Sequence, residues 1–113
     1  MKHDRQLLVA LREATEDSHF DGIIEDEYRS LPDDLAKEVY AAVAGAYHLR
    51  RYLRDGVLAH LVNRPLEAFY KELGPSLDGV VMFEVLDPGR GVFGARCRHH
   101  VIADIVWTRC VLR

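Results

Sequence analysis

The sequence predicts a mainly α fold with a small β-hairpin, in which a helical segment is followed by a winged-helix-like domain. Three observations support this prediction. Over the first two thirds of the chain, apolar residues recur at helical spacing between Asp, Pro and Gly. Two β-rich runs then flank the turn sequence PGRG. An apolar stretch that begins near His99 predicts a closing helix.

Two helices are predicted before residue 34. The first has an apolar stripe formed by Leu7, Leu8, Leu11 and Ala14. The second has an apolar stripe formed by Phe20, Ile23, Ile24, Tyr28 and Leu31. Ser18 is placed to act as its N-cap. The acids Glu25, Asp26 and Glu27 are expected to form a solvated face of this second helix.

Three more helices are predicted between residues 32 and 75. The first opens at Pro32-Asp33-Asp34, because proline suits the first turn and carboxylates favour the positive end of the helix dipole. It runs to a break near residues 50 and 51. The second runs from Asp55 to Asn63, and the third begins at Pro65 and ends at Gly74-Pro75.

The remaining chain predicts a hairpin and a last helix. The runs VVMFEVLD and VFGARCR are separated by the turn residues 88–91, which predicts a two-stranded sheet. In the second strand, Ala95 and Cys97 share a face with Phe93, whereas Arg96 and Arg98 point the other way. We therefore predict two units, a helical segment over residues 1–33 and a winged-helix-like domain over residues 34–113.

Composition limits the classes of function. The chain has 113 residues, a net charge of −3 and 49 % hydrophobic residues, which indicates one ordinary globular domain. The net negative charge disfavours nucleic-acid binding. Neither a signal peptide nor a membrane span is predicted, so a cytoplasmic location is expected. Cys97 and Cys110 are expected to be buried thiols.

No catalytic or metal-binding motif is predicted. A zinc site built from His99, His100, Cys97 and Cys110 is disfavoured, because adjacent histidines cannot both face one ion without strain. No serine or cysteine lies in a nucleophile elbow. The glycines around the hairpin do not form a P-loop. We therefore expect neither an enzyme nor a chain that binds a metal or a nucleotide by itself.

DNA binding is an alternative, because it is a common task of winged helices. The candidate contacts are Lys71, Arg90 and Arg54. The helix in the recognition position also offers Glu67 and Glu72 to solvent. Two acidic side chains beside the one basic side chain of Lys71 make this helix poorly suited to contact DNA phosphates or bases.

His99 has two open interpretations. A histidine at a helix start can add its N–H to the exposed backbone amides of the first turn, a combination that favours phosphate. The phosphate would have to come from another domain. Alternatively, one of His99 and His100 caps the helix and the other packs under the sheet.

The sequence R-x-R-H-x-V-I-A-x-I-V at residues 96–106 resembles the end of the winged-helix domain in STAND-type P-loop NTPases, which include the NB-ARC proteins. The stretches LLVALREAT (7–15), FDGIIEDEY (20–28) and AKEVYAAVAGAYHL (36–49) are similar to the helices that follow the nucleotide core in bacterial members. The chain departs from the family in having His100 where the motif has Asp, Cys97 and Arg98 rather than Met, and no Walker segments.

The resemblance implies the lid plus winged-helix part of such an NTPase. In the family a histidine at the position of His99 contacts the β-phosphate of ADP, and Arg96 or Arg98 would support that contact. The implied role is regulatory, in bacterial defence or stress signalling. The implied partner is a protein, namely a nucleotide-binding core that holds ADP or ATP in cis or in trans. Self-association is left open.

A third hypothesis is an immunity factor that uses the acidic residues 25–27 as its contact surface.

Overall fold

The computed structural model describes residues 17–112 and confirms the predicted fold class, which is mostly helical with a small antiparallel sheet. Eight elements follow one another in these residues. They are α1 (Asp17–Arg29), α2 (Asp34–His48), β1 (Leu53–Arg54), α3 (Asp55–Leu61), α4 (Leu66–Leu77), β2 (Val81–Asp87), β3 (Val92–Cys97) and α5 (His100–Ile105). A π-helical segment, Val106–Val111, continues α5 without a break.

The start of α2 follows the prediction from Asp33 and Asp34. The Asp33 carboxylate accepts a hydrogen bond of 2.8 Å from the backbone N–H of Leu35 and so caps the helix. The predicted helix over residues 7–14 lies outside the described residues. The capping role predicted for the Ser18 side chain lies outside them as well.

The sheet has three strands, so the predicted two-stranded sheet is wrong in number. The short strand β1 pairs antiparallel with β3, with Leu53 opposite Ala95 and Arg54 opposite Gly94. The strand order is β1-β3-β2. Two residues are too few to give a β signal in the sequence, because such a strand forms only where a neighbouring strand offers its hydrogen-bonding edge. The order helix, strand, two helices and hairpin is that of a winged helix.

Helix α4 does not end at Gly74-Pro75 as predicted, but continues to Leu77 with Pro75 inside it. Proline removes one backbone donor from the helix. The backbone N–H of Asp78 still donates to the carbonyl of Gly74 at 3.0 Å, and Leu77 is buried in the core. Burial of Leu77 therefore holds the last turn in spite of the proline.

The predicted hairpin turn is present between β2 and β3. The backbone N–H of Gly89 donates to the Asp87 carboxylate at 3.1 Å, and Gly91 has a φ of +65°, a conformation that glycine adopts without strain. In β3, Ala95 and Cys97 are fully buried, which confirms the predicted inward face.

One apolar cluster joins the helices to the sheet. Its largest fully buried side chains include Tyr40, Phe69 and Leu58. Ile24 and Leu31, which come from α1 and the segment after it, belong to the same cluster. The division between residues 1–33 and 34–113 stays a prediction.

The C-terminal helix widens from α to π after Ile105. The N–H of Leu112 donates to the carbonyl of Trp107, five residues earlier, at 2.9 Å. The Thr108 hydroxyl donates to the carbonyl of Asp104 at 2.7 Å, which gives that carbonyl a side-chain partner at the transition. Trp107 lies directly against Gly45 of α2.

The buried thiol of Cys97 should make the folded protein less stable in alkaline solution. Burial raises the pKa of the Cys97 thiol from its ordinary 9.0 to about 12. The unfolded chain releases this proton first, so the contribution of the neutral thiol is complete below pH 9 and is lost as the pH rises toward 12. We expect the free energy of unfolding to fall by about 1 kcal/mol between pH 9 and pH 10 from this group alone.

Urea unfolding of the wild type and of Cys97→Ala at both pH values measures this effect. The difference in stability between the two proteins should shrink by about 1 kcal/mol at the higher pH. Burial is the largest cause of the raised pKa of Tyr40 and of Tyr70, and both proteins share it, so the burial contribution of these tyrosines cancels in the comparison. A difference that stays constant with pH would contradict the assignment.

Candidate functional site: the junction between β3 and α5

His99 caps α5. Its backbone is extended, and its ring Nδ1 accepts a hydrogen bond of 3.2 Å from the N–H of Val101. An imidazole that accepts at Nδ1 is neutral and carries its hydrogen on Nε2. His99 is only 8 % exposed. The capping interpretation of the sequence is therefore observed for His99, and the hydrogen of its neutral ring lies on Nε2.

His100 has a different environment. Its ring stacks on Tyr47 of α2, with ring centroids 4.0 Å apart and planes inclined by 22°. The His99 and His100 rings are inclined by 70° to each other with centroids 6.0 Å apart. No group of residues among those described could hold a metal ion. The two histidines thus have separate tasks, one as a helix cap and one as a packed aromatic ring.

Arg96 holds the junction from its other side. One Nη donates to the carbonyls of Cys97 and Arg98 at 2.9 and 3.2 Å, and Nε donates to the Glu84 carboxylate at 2.6 Å. Tyr52 donates its hydroxyl hydrogen to the same carboxylate at 3.0 Å. The hydrogen bond from Arg96 lowers the pKa of Glu84. Arg96 therefore fixes the backbone that leads into His99.

Arg98 reaches a different carboxylate. Its guanidinium donates to Glu27 of α1, and the Tyr40 hydroxyl lies 3.5 Å from the same carboxylate. The Nε of Arg98 is buried and has no hydrogen-bond partner among the described residues. The two arginines that the sequence places beside His99 are thus each paired with an acid, one on β2 and one on α1.

The acidic residues of α1 do not form the solvated face that the sequence suggests. Glu25 is 7 % exposed and accepts a hydrogen bond of 2.6 Å from Arg109, while Glu27 is bound to Arg98. Asp26 alone of the three is exposed. The prediction was wrong because α1 packs against the C-terminal helix, which carries Arg109. The immunity-factor hypothesis therefore loses most of its contact surface.

Sequence reasoning missed the cluster around Arg109. Asp21 is 2 % exposed and accepts a hydrogen bond of 3.0 Å from Arg109, which also binds Glu25. Asp21 and Glu25 are four residues apart and so lie on one side of α1. That spacing, beside an arginine inside an apolar closing helix, is the signal that could have found the cluster.

The alternative DNA contacts lie on three different elements. Lys71 is exposed on α4, Arg54 is exposed at the end of β1, and Arg90 lies in the hairpin turn with its Nε 3.6 Å from Asp87. On α4 the exposed acids are Glu67 and Glu72, of which Glu72 is paired with Arg64 at 3.5 Å. The recognition position is therefore more acidic than basic.

Comparisons with protein-family models, with curated proteins and with solved structures find no match to this chain. Within residues 17–112, no helix combines the length and the apolar character needed to cross a membrane.

The capping role of His99 predicts a specific pair of stability effects. His99→Ala removes the acceptor for the Val101 N–H and should lower the free energy of unfolding by about 1 kcal/mol. His99→Asn supplies an oxygen close to the position of Nδ1 and should recover most of that loss. Urea unfolding of the three proteins measures both effects. Equal destabilisation by Ala and Asn would show that the hydrogen bond to Val101 is not the reason.

Proposed function

We propose that this chain is a non-catalytic regulatory module that packs on a nucleotide-binding core, present in cis or in trans, and contributes His99 as a phosphate contact. The module corresponds to the lid plus winged-helix part of STAND-type NTPases, which the sequence at residues 96–106 resembles. In this proposal ADP or ATP is held mainly by the core. The module works in the cytoplasm, in defence or stress signalling, by closing over the nucleotide.

The observation that carries the proposal is the fixed orientation of His99 at the start of α5. Because Nδ1 accepts a hydrogen bond from the backbone N–H of Val101, the hydrogen of the neutral ring lies on Nε2. A donor suits the oxygens of a phosphate. The ring is also mostly shielded from water, and a hydrogen bond to a charged oxygen is stronger in such surroundings.

The arginines support this proposal by holding the ring in place. Arg96 binds two carbonyls of the junction, and Arg98 ties the same junction to α1 through Glu27. A ligand contact needs groups that are positioned before the ligand arrives. Arg96 and Arg98 thus act on the phosphate contact through the position of His99.

DNA binding is the second candidate, and the winged-helix order of elements is the observation that favours it. Lys71, Arg54 and Arg90 would be its phosphate contacts. Filter retention of a labelled duplex at increasing salt separates the two functions. A DNA-binding regulator retains the duplex at low salt and releases it as salt rises, whereas the regulatory module retains none.

The main proposal is tested by asking where ADP binds. The full chain is titrated with ADP by calorimetry, alone and after fusion to the nucleotide-binding core of a bacterial STAND-type ATPase in place of that protein's own lid and winged helix. We expect no binding by the chain alone, and a lower dissociation constant of ADP for the fusion than for the core alone. Binding of ADP by the chain alone at low-millimolar affinity, or a dissociation constant that the fusion leaves unchanged, would refute the proposal.

A further inference from the structure

Three arginines within residues 17–112 have no acidic partner there. Six other described arginines each lie beside a carboxylate, namely Arg29, Arg64, Arg90, Arg96, Arg98 and Arg109. Arg50, Arg51 and Arg54 are exposed and form no ion pair with any residue in 17–112. All three lie in the short connection between α2 and α3. Their charge is therefore not used within the described fold.

Arg50 occupies a position that normally suits glycine. Its φ is +63°, in the left-handed region. The N–H of Arg50 donates to the carbonyl of Tyr47 and the N–H of Arg51 to that of Ala46, which is the Schellman arrangement at a helix end. The end of α3 repeats this arrangement with Asn63, a residue that tolerates the conformation better. Arg50 is thus a bulky cation in a conformation that strains its backbone, which indicates a use for its side chain.

Two apolar side chains are exposed in the same connection. Leu49 is 70 % exposed and Tyr52 is 39 % exposed. Residues 49–54, which we call the basic connection, therefore offer three cations and two apolar surfaces to solvent. A surface that combines arginine with aromatic and aliphatic groups is typical of protein–protein contacts.

We propose that the basic connection binds an acidic surface of a partner protein, with carboxylates of the partner on Arg50, Arg51 and Arg54 and an apolar side chain of the partner on Leu49 and Tyr52. Charge complementarity favours this partner, because guanidinium groups pair well with carboxylates. Without these three arginines the chain carries a net charge of −6. A long polyanion such as DNA would extend beyond the connection and be repelled by the negative charge of the remaining surface. A compact acidic patch would contact the connection alone and avoid this repulsion. This interaction does not depend on the nucleotide-binding proposal.

The test uses the full chain and a phage-displayed library of random peptides about 12 residues long, a length that spans the connection in an extended form. Selection is carried out on the wild type and on the double variant Arg51→Ser with Arg54→Ser. Both native side chains are exposed and form no ion pair within residues 17–112. Peptides rich in Asp and Glu around an apolar residue should be enriched on the wild type alone. In fluorescence anisotropy, a selected peptide should bind the double variant about tenfold more weakly or worse.

Two further variants test whether peptide binding depends on the basic connection itself. Lys37→Gln removes a positive charge from α2, away from the connection, and should leave peptide affinity unchanged. Arg50→Gly removes the strained cation and should raise Tm while it weakens peptide binding. A purely structural role of Arg50 would not produce these opposite changes.

The proposal is overturned by any of four results. Three of them concern the peptides: none is enriched on the wild type, the enriched peptides lack acidic residues, or the selected peptides bind the double variant as tightly as the wild type. The fourth is that the wild type binds a labelled DNA duplex more tightly than it binds the selected peptides, and that the same two substitutions abolish the DNA binding. The last result would assign the basic connection to nucleic acid instead.

Discussion

Gly45→Ala should lower the free energy of unfolding by about 3 kcal/mol, although alanine is usually the better helix former. A methyl group at Gly45 would lie 2.6 and 2.8 Å from two ring carbons of Trp107. Those separations are far below a normal contact, so α2 and the C-terminal helix would have to move apart or the indole would have to leave its site. Thermal and urea unfolding measure the loss.

Two controls test whether the loss of stability comes from the contact with Trp107 or would follow any replacement of a helical glycine. Gly22→Ala in α1 meets no atom within 4 Å and should stabilise the protein by about 0.5–1 kcal/mol. Trp107→Leu makes room, so adding Gly45→Ala to that variant should cost much less than it does in the wild type. If the cost of Gly45→Ala is the same in both backgrounds, Trp107 is not its cause.

Arg109→Met should lower Tm by roughly 10 °C. The arginine binds Asp21 at 3.0 Å and Glu25 at 2.6 Å, and these two carboxylates are 2 % and 7 % exposed. Without Arg109, the two carboxylates stay buried but lose this cation. The loss of a cation from a buried carboxylate raises the free energy of the folded state. Because Arg109 lies in the last helix and the acids lie in α1, we expect α1 to loosen first, which hydrogen exchange can measure.

The matched control is Arg29→Met, which removes another arginine from Glu25. Arg29 is mostly exposed and 3.8 Å from that carboxylate, so its loss should change the stability by less than about 0.5 kcal/mol. The double variant Asp21→Ala with Arg109→Met should be less destabilised than the sum of the two single effects. Additive effects would mean that Asp21 and Arg109 do not act as a pair.

Much of the fold could be predicted from local chemistry. Asp33 marks the start of α2, and the turn residues 88–91 mark the hairpin, because caps and turns depend on residues a few positions apart. The strand β1 and the last turn of α4 could not be predicted in the same way. The first depends on pairing with β3, and the second depends on burial of Leu77.

The junction between β3 and α5 was predicted in its location and only partly in its contacts. The change from strand to helix near His99 is visible in the sequence, and so is a capping role for one of the two histidines. The pairing of Arg109 with Asp21 and Glu25 joins residues 88 and 84 positions apart, so the spacing of the two acids places them on one side of α1 but does not identify the residue that they bind. The same holds for Glu27 and Arg98, and it explains why the acids of α1 were expected to face solvent.

The role of His99 is tested most directly by the dissociation constant of ADP from the fusion of this chain with a STAND-type core, measured for the wild type and for His99→Asn. The asparagine keeps an acceptor for the Val101 N–H but has no donor at the position of Nε2. We predict that the substitution raises the dissociation constant about tenfold or more with little change in Tm, because it removes a hydrogen bond to a charged oxygen. An equal dissociation constant for both proteins would contradict the phosphate contact and leave His99 as a helix cap alone.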